Sequence, residues 1–437
     1  MAYINNLIFL IILTIGIGFF VKNIKKIIRN IKLGQPINNP HPPKLRLKNM
    51  LRVALGQSKM VTKPIAGTLH IIVYIGFVII NLEVLEIIID GLFGTHRIFA
   101  KLGTIYNLLI GSFEILAALV LLAVILFYIR RNIMNLKRFV HNDLNGWPKN
   151  DANYILYFEI VLMTLFLLMN ATDLTLQNQH YQHYITAGSF PISQHLTPLF
   201  SSLQPSTTAL LERSFWWAHI TGILLFLNYL YYSKHLHILL AFPNTYLADL
   251  NPLGQLNNLG TVTTEVKLMM DPSAPTPETP TTPIKFGAQD ATDLNQLQLL
   301  NAYTCTQCGR CTDACPANQT GKKLSPRKIM IDTRNRINEI GQNLDQNHGI
   351  HIPDNKTLLD NYITPEELWA CTSCNACVQE CPVNISPLSI IIELRRYLVM
   401  EQSSAPTALN NMMTNIENNG APWQFNQQDR LNWNTQT

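Results

Sequence analysis

The sequence predicts an all-α chain in two unlike halves, a five-helix transmembrane bundle followed by a mainly helical domain that carries every cysteine. Three observations predict it. Nearly all the long apolar runs fall in the first 240 residues, and five of them approach the length of roughly 20 residues that crosses a bilayer as a helix. All eight cysteines fall in the second half, in two copies of one spacing. Between the halves, 271–283 read DPSAPTPETPTTP, a Pro/Thr stretch that suits an extended spacer. The chain divides accordingly into a membrane domain at 1–245, a linker at 246–290, a cysteine domain at 291–402 and a polar tail at 403–437.

The five spans are expected at about 4–21, 65–89, 105–129, 154–175 and 214–240. The first has no basic residue before it and no small-residue cleavage signature after it, so it reads as a retained helix and not a signal peptide. Cytoplasmic loops collect Lys and Arg. The segment between the first two spans carries eleven, from Lys22 to Lys63, and that between the third and fourth carries Arg130, Arg131, Lys137, Arg138 and Lys149. The second-to-third loop has only Arg97 and Lys101, and 176–212 has none. The N-terminus is therefore expected outside and the cysteine domain in the cytoplasm. These anchoring loops account for the formal charge of +5, which leaves no case for nucleic-acid binding.

An imidazole inside hydrocarbon is costly and takes a partner or a metal. His70 lies in the inner third of the second span, and His219 and His237 lie on the fifth. Eighteen residues separate those two, five helical turns or about 27 Å, which puts both on one face of a continuous helix. Spans two and five run antiparallel, so His70 approaches His237 on the cytoplasmic side, and this pair is expected to ligate a b-type haem axially. His235 points roughly the opposite way. The Lys234-His235-Leu236-His237 run also reads as an interfacial cluster that snorkels. At the level of His219 the second span offers Ile80 and Asn81, so a second haem needs another partner; His96, His180, His183 and His195 lie in outer loops.

Glu83, Glu86 and Asp90 recur at spacings of three and four, on one face toward the outer end of the second span. Asn81, Glu114 and Glu159 add polar atoms within spans. Quinone reduction takes up two protons with two electrons, and Glu83 and Glu86 are candidates to relay them; the alternative is that the outermost acids sit among headgroups.

The cysteines run Cys305-x2-Cys308-x2-Cys311-x3-Cys315-Pro316 and Cys371-x2-Cys374-x2-Cys377-x3-Cys381-Pro382. In this bacterial-ferredoxin spacing three close thiolates grip one [4Fe-4S] cube and the fourth crosses to the other. Cys305, Cys308, Cys311 and Cys381 are thus expected on one cluster, and Cys371, Cys374, Cys377 and Cys315 on the second. Zinc would close with two CxxC pairs or with histidines, and disulfides would need an oxidising compartment. Helices are expected before the first run, where the leucines of ATDLNQLQLLNAYT recur at helical spacing, and from Ser325-Pro326 and Thr364-Pro365, each a capping residue before proline. SPLSIIIELRRYLVMEQ reads as an amphipathic cover for the clusters. The tail is rich in Asn and Gln and holds Trp423, Arg430 and Trp433, types preferred as interface anchors, so it reads as a docking segment.

With these residues in view, the membrane half, through GTLHIIVYIGF, FWWAHITGILLFLNY and SKHLHI, resembles the cytochrome b membrane protein of respiratory nitrate reductase and its heterodisulfide reductase relatives. The cysteine half, through CTQCGRCTDACPANQTGKKLSPRKIM and ELWACTSCNACVQECPVNISPLSIIIELRR, is similar to the ferredoxin-like, two-cluster iron-sulfur component of heterodisulfide reductase. The resemblance implies a multi-pass protein of a bacterial inner membrane that exchanges electrons with menaquinone. It also implies two haems, although the second span lacks the second histidine of the nitrate-reductase pattern. Fused relatives, among them electron-transfer-flavoprotein:menaquinone oxidoreductases, continue into cysteine-rich CCG domains. This sequence has no further cysteine after Cys381, so the resemblance implies a separate CCG-domain Fe-S subunit that docks near Trp423–Trp433, with electron-transfer flavoprotein as a further partner.

The expected function is that of an electron-transfer subunit of a membrane quinone-linked oxidoreductase, with substrate chemistry on a partner chain. The rival expectation is a haem-free, membrane-tethered ferredoxin that serves as a docking platform or redox sensor.

Overall fold

The computed structural model describes residues 3–37, 39–134, 136–271, 273 and 285–435. Apart from Asp271 and Ser273, the Pro/Thr stretch lies outside the described residues. Those residues are mostly helical, with two isolated bridges, Gln35 with Asn295 and Leu359 with Ile363.

The first half contains α1 (Ile4–Lys32), α2 (Pro43–Met50), α3 (Pro64–Phe93), α4 (Thr104–Asn132), α5 (Trp147–Asn178), α6 (Pro205–Tyr229) and α7 (His237–Leu247). α1, α3, α4, α5 and α6 pack side by side in a ring that closes where α6 meets α1. Phe9, Ile110, Ala117, Phe166, Trp216 and Ile220 fill its centre. Leu7, Ile11, Ile15 and Phe19 face outward along α1, where only lipid makes such a surface tolerable. Close approach of α1 to α3 depends on Gly91, where a Cβ would come within 2.7 Å of the Phe9 ring. Among the described residues four helices, α1, α3, α4 and α5, are long and apolar enough to cross a membrane.

The expected fifth span is not one helix. α6 ends at Tyr229, a short turn containing Lys234–Leu236 intervenes, and His237 opens α7. Ser233 caps that turn, its hydroxyl accepting from the His235 N–H, and Asp151 accepts from the Lys234 N–H at 3.0 Å, so side chains satisfy backbone groups that a continuous helix would satisfy itself. The reading of His219 and His237 as one face of a single helix is thereby corrected. A helix, α8 (Gly260–Met270), also occupies part of the segment read as linker.

The second half is built from α9 (Gln296–Thr304), α10 (Pro326–Gln346) and α11 (Pro387–Met400), joined by the cysteine loops and one-turn helices. The capping chemistry is local. Ser325 accepts from Lys328 N with Pro326 at the first helical position, and Thr364 forms a capping box with Glu367. α12 (Thr407–Asn419) follows in the tail and buries no residue, and Trp423, Phe425 and Trp433 are exposed beyond it.

The halves share one core. Ile27 of α1 with Leu230 and Leu236 of the turn pack among Leu299, Tyr303 and Ile337. Around it, Asn30 donates to the Tyr303 hydroxyl at 2.9 Å, Lys26 pairs with Asp345 at 2.8 Å, and Gln35 exchanges backbone hydrogen bonds with Leu294 and Gln296. α10 meets α1 at Gly341, where any Cβ would overlap the Asn30 carboxamide. The basic segments after α1 and α4 thus meet the cysteine domain.

Candidate metal centres

Two cavities lie in the second half. Cys305, Cys308, Cys311, Cys377 and Cys381 line the first; Cys315, Cys371, Cys374 and Cys377 line the second. Each fourth cysteine has therefore crossed to the other motif's cavity. All eight thiols are free. Among the described residues no three His, Cys, Asp or Glu side chains converge on a single-ion position.

Local backbone explains the framing. In the first motif Gln307 (φ +56°) and Gly309 (φ +77°) are left-handed, and in the second Ser373 (φ +56°) and Asn375 (φ +61°) repeat the pattern at the same offsets. The turn at Ser373 aims its N–H at Cys371 Sγ, 3.4 Å away, and after the left-handed Asn384 (φ +59°) Ile385 N lies 3.3 Å from Cys381 Sγ. Burial pushes the thiol of Cys305 up to about 12 and that of Cys381 to about 11. Without metal these thiols stay protonated at neutral pH, and binding must release their protons. Five thiols border the first cavity and four the second, Cys377 being shared, and such thiol sets with N–H groups directed at sulfur fit iron-sulfur clusters.

Lys234 ties Gln307 of the first cavity to His237, the first of the histidines in question. The His70 and His237 rings are 6.4 Å apart between centroids. Two imidazoles facing one metal at about 2 Å, with about 1.2 Å from nitrogen to ring centre, would stand about 6.4 Å apart. His237 Nδ1 is 3.1 Å from the Lys234 carbonyl, which can only accept, so Nδ1 carries the proton and Nε2 keeps its lone pair. His70 Nδ1 is buried without a hydrogen-bond partner. His70 and His237 are the residues that would hold a haem iron here. His235 stands 3.8 Å from Glu159 and packs against the Phe226 ring, so it has a partner of its own. His219 is buried against Phe166 with Nδ1 unpartnered. It belongs to the bundle core beside Ile220 and Leu224 on α6, and it lines neither thiol cavity.

At the opposite end of the bundle the structure gathers a polar network that sequence reasoning missed. Arg97, counted in the sequence as one loop cation, is buried; its guanidinium bonds Asp173, the Tyr106 hydroxyl at 3.1 Å and Asn170 at 3.0 Å. Tyr106 donates to Glu86 at 3.0 Å, and Asn170 donates to Glu114 at 3.2 Å. Glu83 is buried beside them with Oε2 unpartnered. Asp90 instead accepts from the Arg97 and Ile98 N–H groups and so closes the turn after α3. The signal for this network was the number of acids in spans two, three and four that had no cation to meet.

Residues 304–385 match the 4Fe-4S dicluster domain family. The chain is similar to the probable iron-sulfur-binding oxidoreductase FadF of Bacillus subtilis, 29% identical over 98% of this chain and 60% of that protein. It is 24% identical to the EtfAB:quinone oxidoreductase of Syntrophomonas wolfei, over 87% of this chain and 52% of that protein. A shorter stretch, 34% of this chain, is 31% identical to the probable membrane-anchored ferredoxin of Chromohalobacter salexigens, over 24% of that protein. The chain spans about 60% and 52% of the length of the first two relatives. No solved structure matches it. By name the first two relatives are oxidoreductases, the first of them iron-sulfur-binding, and the third is a ferredoxin. The chain itself has a 4Fe-4S dicluster domain beside helices able to cross a membrane.

Proposed function

We propose that this chain is the electron-transfer subunit of a membrane quinone-linked oxidoreductase. The observation that carries the reading is the linkage of the sites: an exposed thiol at Cys374 on the second cavity, Cys377 bordering both cavities, and Lys234 joining Gln307 of the first cavity to His237 beside His70. Two [4Fe-4S] clusters and a b haem would supply one-electron carriers at these places. Cys305, Cys308, Cys311 and Cys381 would hold the first cluster, and Cys371, Cys374, Cys377 and Cys315 the second. His70 and His237 would hold the haem, His235 being engaged by Glu159, while a second haem at His219 would take a ligand from another element.

Five spans with the N-terminus outside and the cluster domain in the cytoplasm, in a bacterial inner membrane, agree with the meeting of the basic segments and the cysteine domain. Glu83 and Glu86 would pass protons to menaquinone at the outer end, with Arg97 and Tyr106 fixing the orientation of Glu86. The cytoplasmic partner is proposed as a CCG-domain Fe-S protein, with electron-transfer flavoprotein behind it. The similarity to the EtfAB:quinone oxidoreductase supports both the quinone and the flavoprotein.

The test is cofactor content on the detergent-solubilised chain. Iron, acid-labile sulfide and a pyridine haemochrome spectrum are measured for the natural chain, His70→Ala and His219→Ala. We expect His70→Ala to remove a haem and leave iron-sulfur content intact. A natural chain with clusters and no haem would replace this reading with the tethered ferredoxin. In a quinone-reduction assay Glu83→Gln is expected to lower turnover at least about tenfold while cluster reduction is unchanged, since one proton relay is worth about 10²–10⁴ in rate.

A further inference from the structure

The residue two places after the first cysteine of each motif has the same backbone, Gln307 and Ser373 both at φ +56°. In each motif its N–H faces that cysteine's sulfur, Gln307 toward Cys305 and Ser373 toward Cys371. A residue with a side chain is uncommon in this left-handed region. The two motifs differ in what holds its side chain. Ser373 accepts at 3.4 Å from Arg395, on α11 of its own domain. Gln307 accepts at 2.8 Å from the ammonium of Lys234, which belongs to the membrane half.

Lys234 is buried, and its ammonium also donates to the Pro148 carbonyl and stands 3.7 Å from Asp151. Its Nζ thus has two hydrogen-bond acceptors, the Gln307 side-chain oxygen and the Pro148 carbonyl, with the Asp151 carboxylate farther off. Its carbonyl meanwhile takes the His237 Nδ1 hydrogen bond at 3.1 Å. One residue therefore holds the Cys305 loop through its side chain and the His237 ring through its backbone.

We propose that Lys234 is a positioning residue that couples the first cluster site to His237 and raises the reduction potential of that cluster. The inference rests on the two-cluster reading. Hydrogen bonds to sulfur set such potentials, and a buried side chain that anchors the Gln307 loop holds its N–H toward Cys305 sulfur, which stabilises the added electron. The second cluster, served by Arg395, lies outside this influence.

The experiment is a potentiometric EPR titration of the full purified chain. At the potential that half-reduces the first cluster in the natural chain, Lys234→Gln is expected to lower its reduced-to-oxidised ratio about tenfold, which is 59 mV for one electron. Lys234→Arg should restore most of the shift, and Arg395→Gln should move the other signal alone. Gln307→Leu cuts the same link from the cluster side without altering the bundle, and should shift the same signal in the same direction even if Lys234→Gln does not fold. Equal shifts of both signals, or none in either variant, would overturn the proposal. Absence of both cluster signals in the natural chain would sink the two-cluster reading and this inference with it.

Discussion

Cys381→Ser is expected to remove the same EPR signal as Cys305→Ser, and Cys315→Ser the same signal as Cys371→Ser, with iron content falling to about half in each variant. Cys381 belongs to the second motif by sequence, yet it lines the cavity of Cys305, Cys308 and Cys311; Cys315 lines that of Cys371 and Cys374. If each motif instead held its own cluster, Cys381→Ser and Cys371→Ser would strike one signal together. The effect should extend to folding. Cys305, Cys315 and Cys381 sit in the core shared with Ile27 and Leu236, so losing a cluster exposes a cavity inside that core and should lower the thermal transition of the whole chain. A serine variant that kept both signals would contradict the crossing.

That crossing was legible because cysteine spacing is a local property with a chemical meaning. Helix starts at Ser325-Pro326 and Thr364-Pro365 were legible for the same reason: cap and proline act within one turn. The fifth span was not. Residues 214–240 are apolar enough to read as one helix, and the break at 230–236 depends on Asp151, contributed by α5, capping the Lys234 N–H. A break stabilised by a partner 83 residues away leaves no mark on the local hydropathy. The reach of His70 to His237 survived this because it needs only that both residues end near the cytoplasmic edge. The Arg97 network was hidden in a similar way. A loop arginine reads as solvated until Asp173 and Asn170 of α5 are seen to enclose it. The tail helix α12 has polar composition and buries nothing, so periodicity alone gave it no prominence.

Arg327→Met should destabilise the junction between the halves by about 3–5 kcal/mol, because it leaves the buried Asp143 carboxylate without its cation. Arg327 is fully buried. Its guanidinium bonds Asp143 through Nε at 3.0 Å and donates to the Arg138 carbonyl at 2.7 Å, joining α10 to the segment after α4. Burial alone would push the Asp143 carboxyl up; the Arg327 hydrogen bonds and charge, with the Ser325 hydroxyl, outweigh it and hold the group below the usual carboxylate range. A folded-state value below the unfolded one contributes stability above the unfolded value, about 4, and loses it only as pH falls through the folded value. The natural chain should therefore show no contribution from this pair to pH dependence between about 5.5 and 8. In Arg327→Met the sign reverses. The buried carboxyl, left with the Ser325 hydroxyl and the His141 ring, loses the cation that outweighed burial and moves up, so the variant should partly recover as pH is lowered from about 8 to 5.5. Adding Asp143→Leu should return most of the loss and abolish that recovery, since replacing both charges by apolar groups leaves nothing uncompensated. Thermal unfolding in detergent across that pH range, followed by limited proteolysis of the 246–290 segment, measures the natural chain and both variants. An Arg327→Met chain as stable as the natural one at pH 8 would mean that the ion pair does not hold the cluster domain on the bundle.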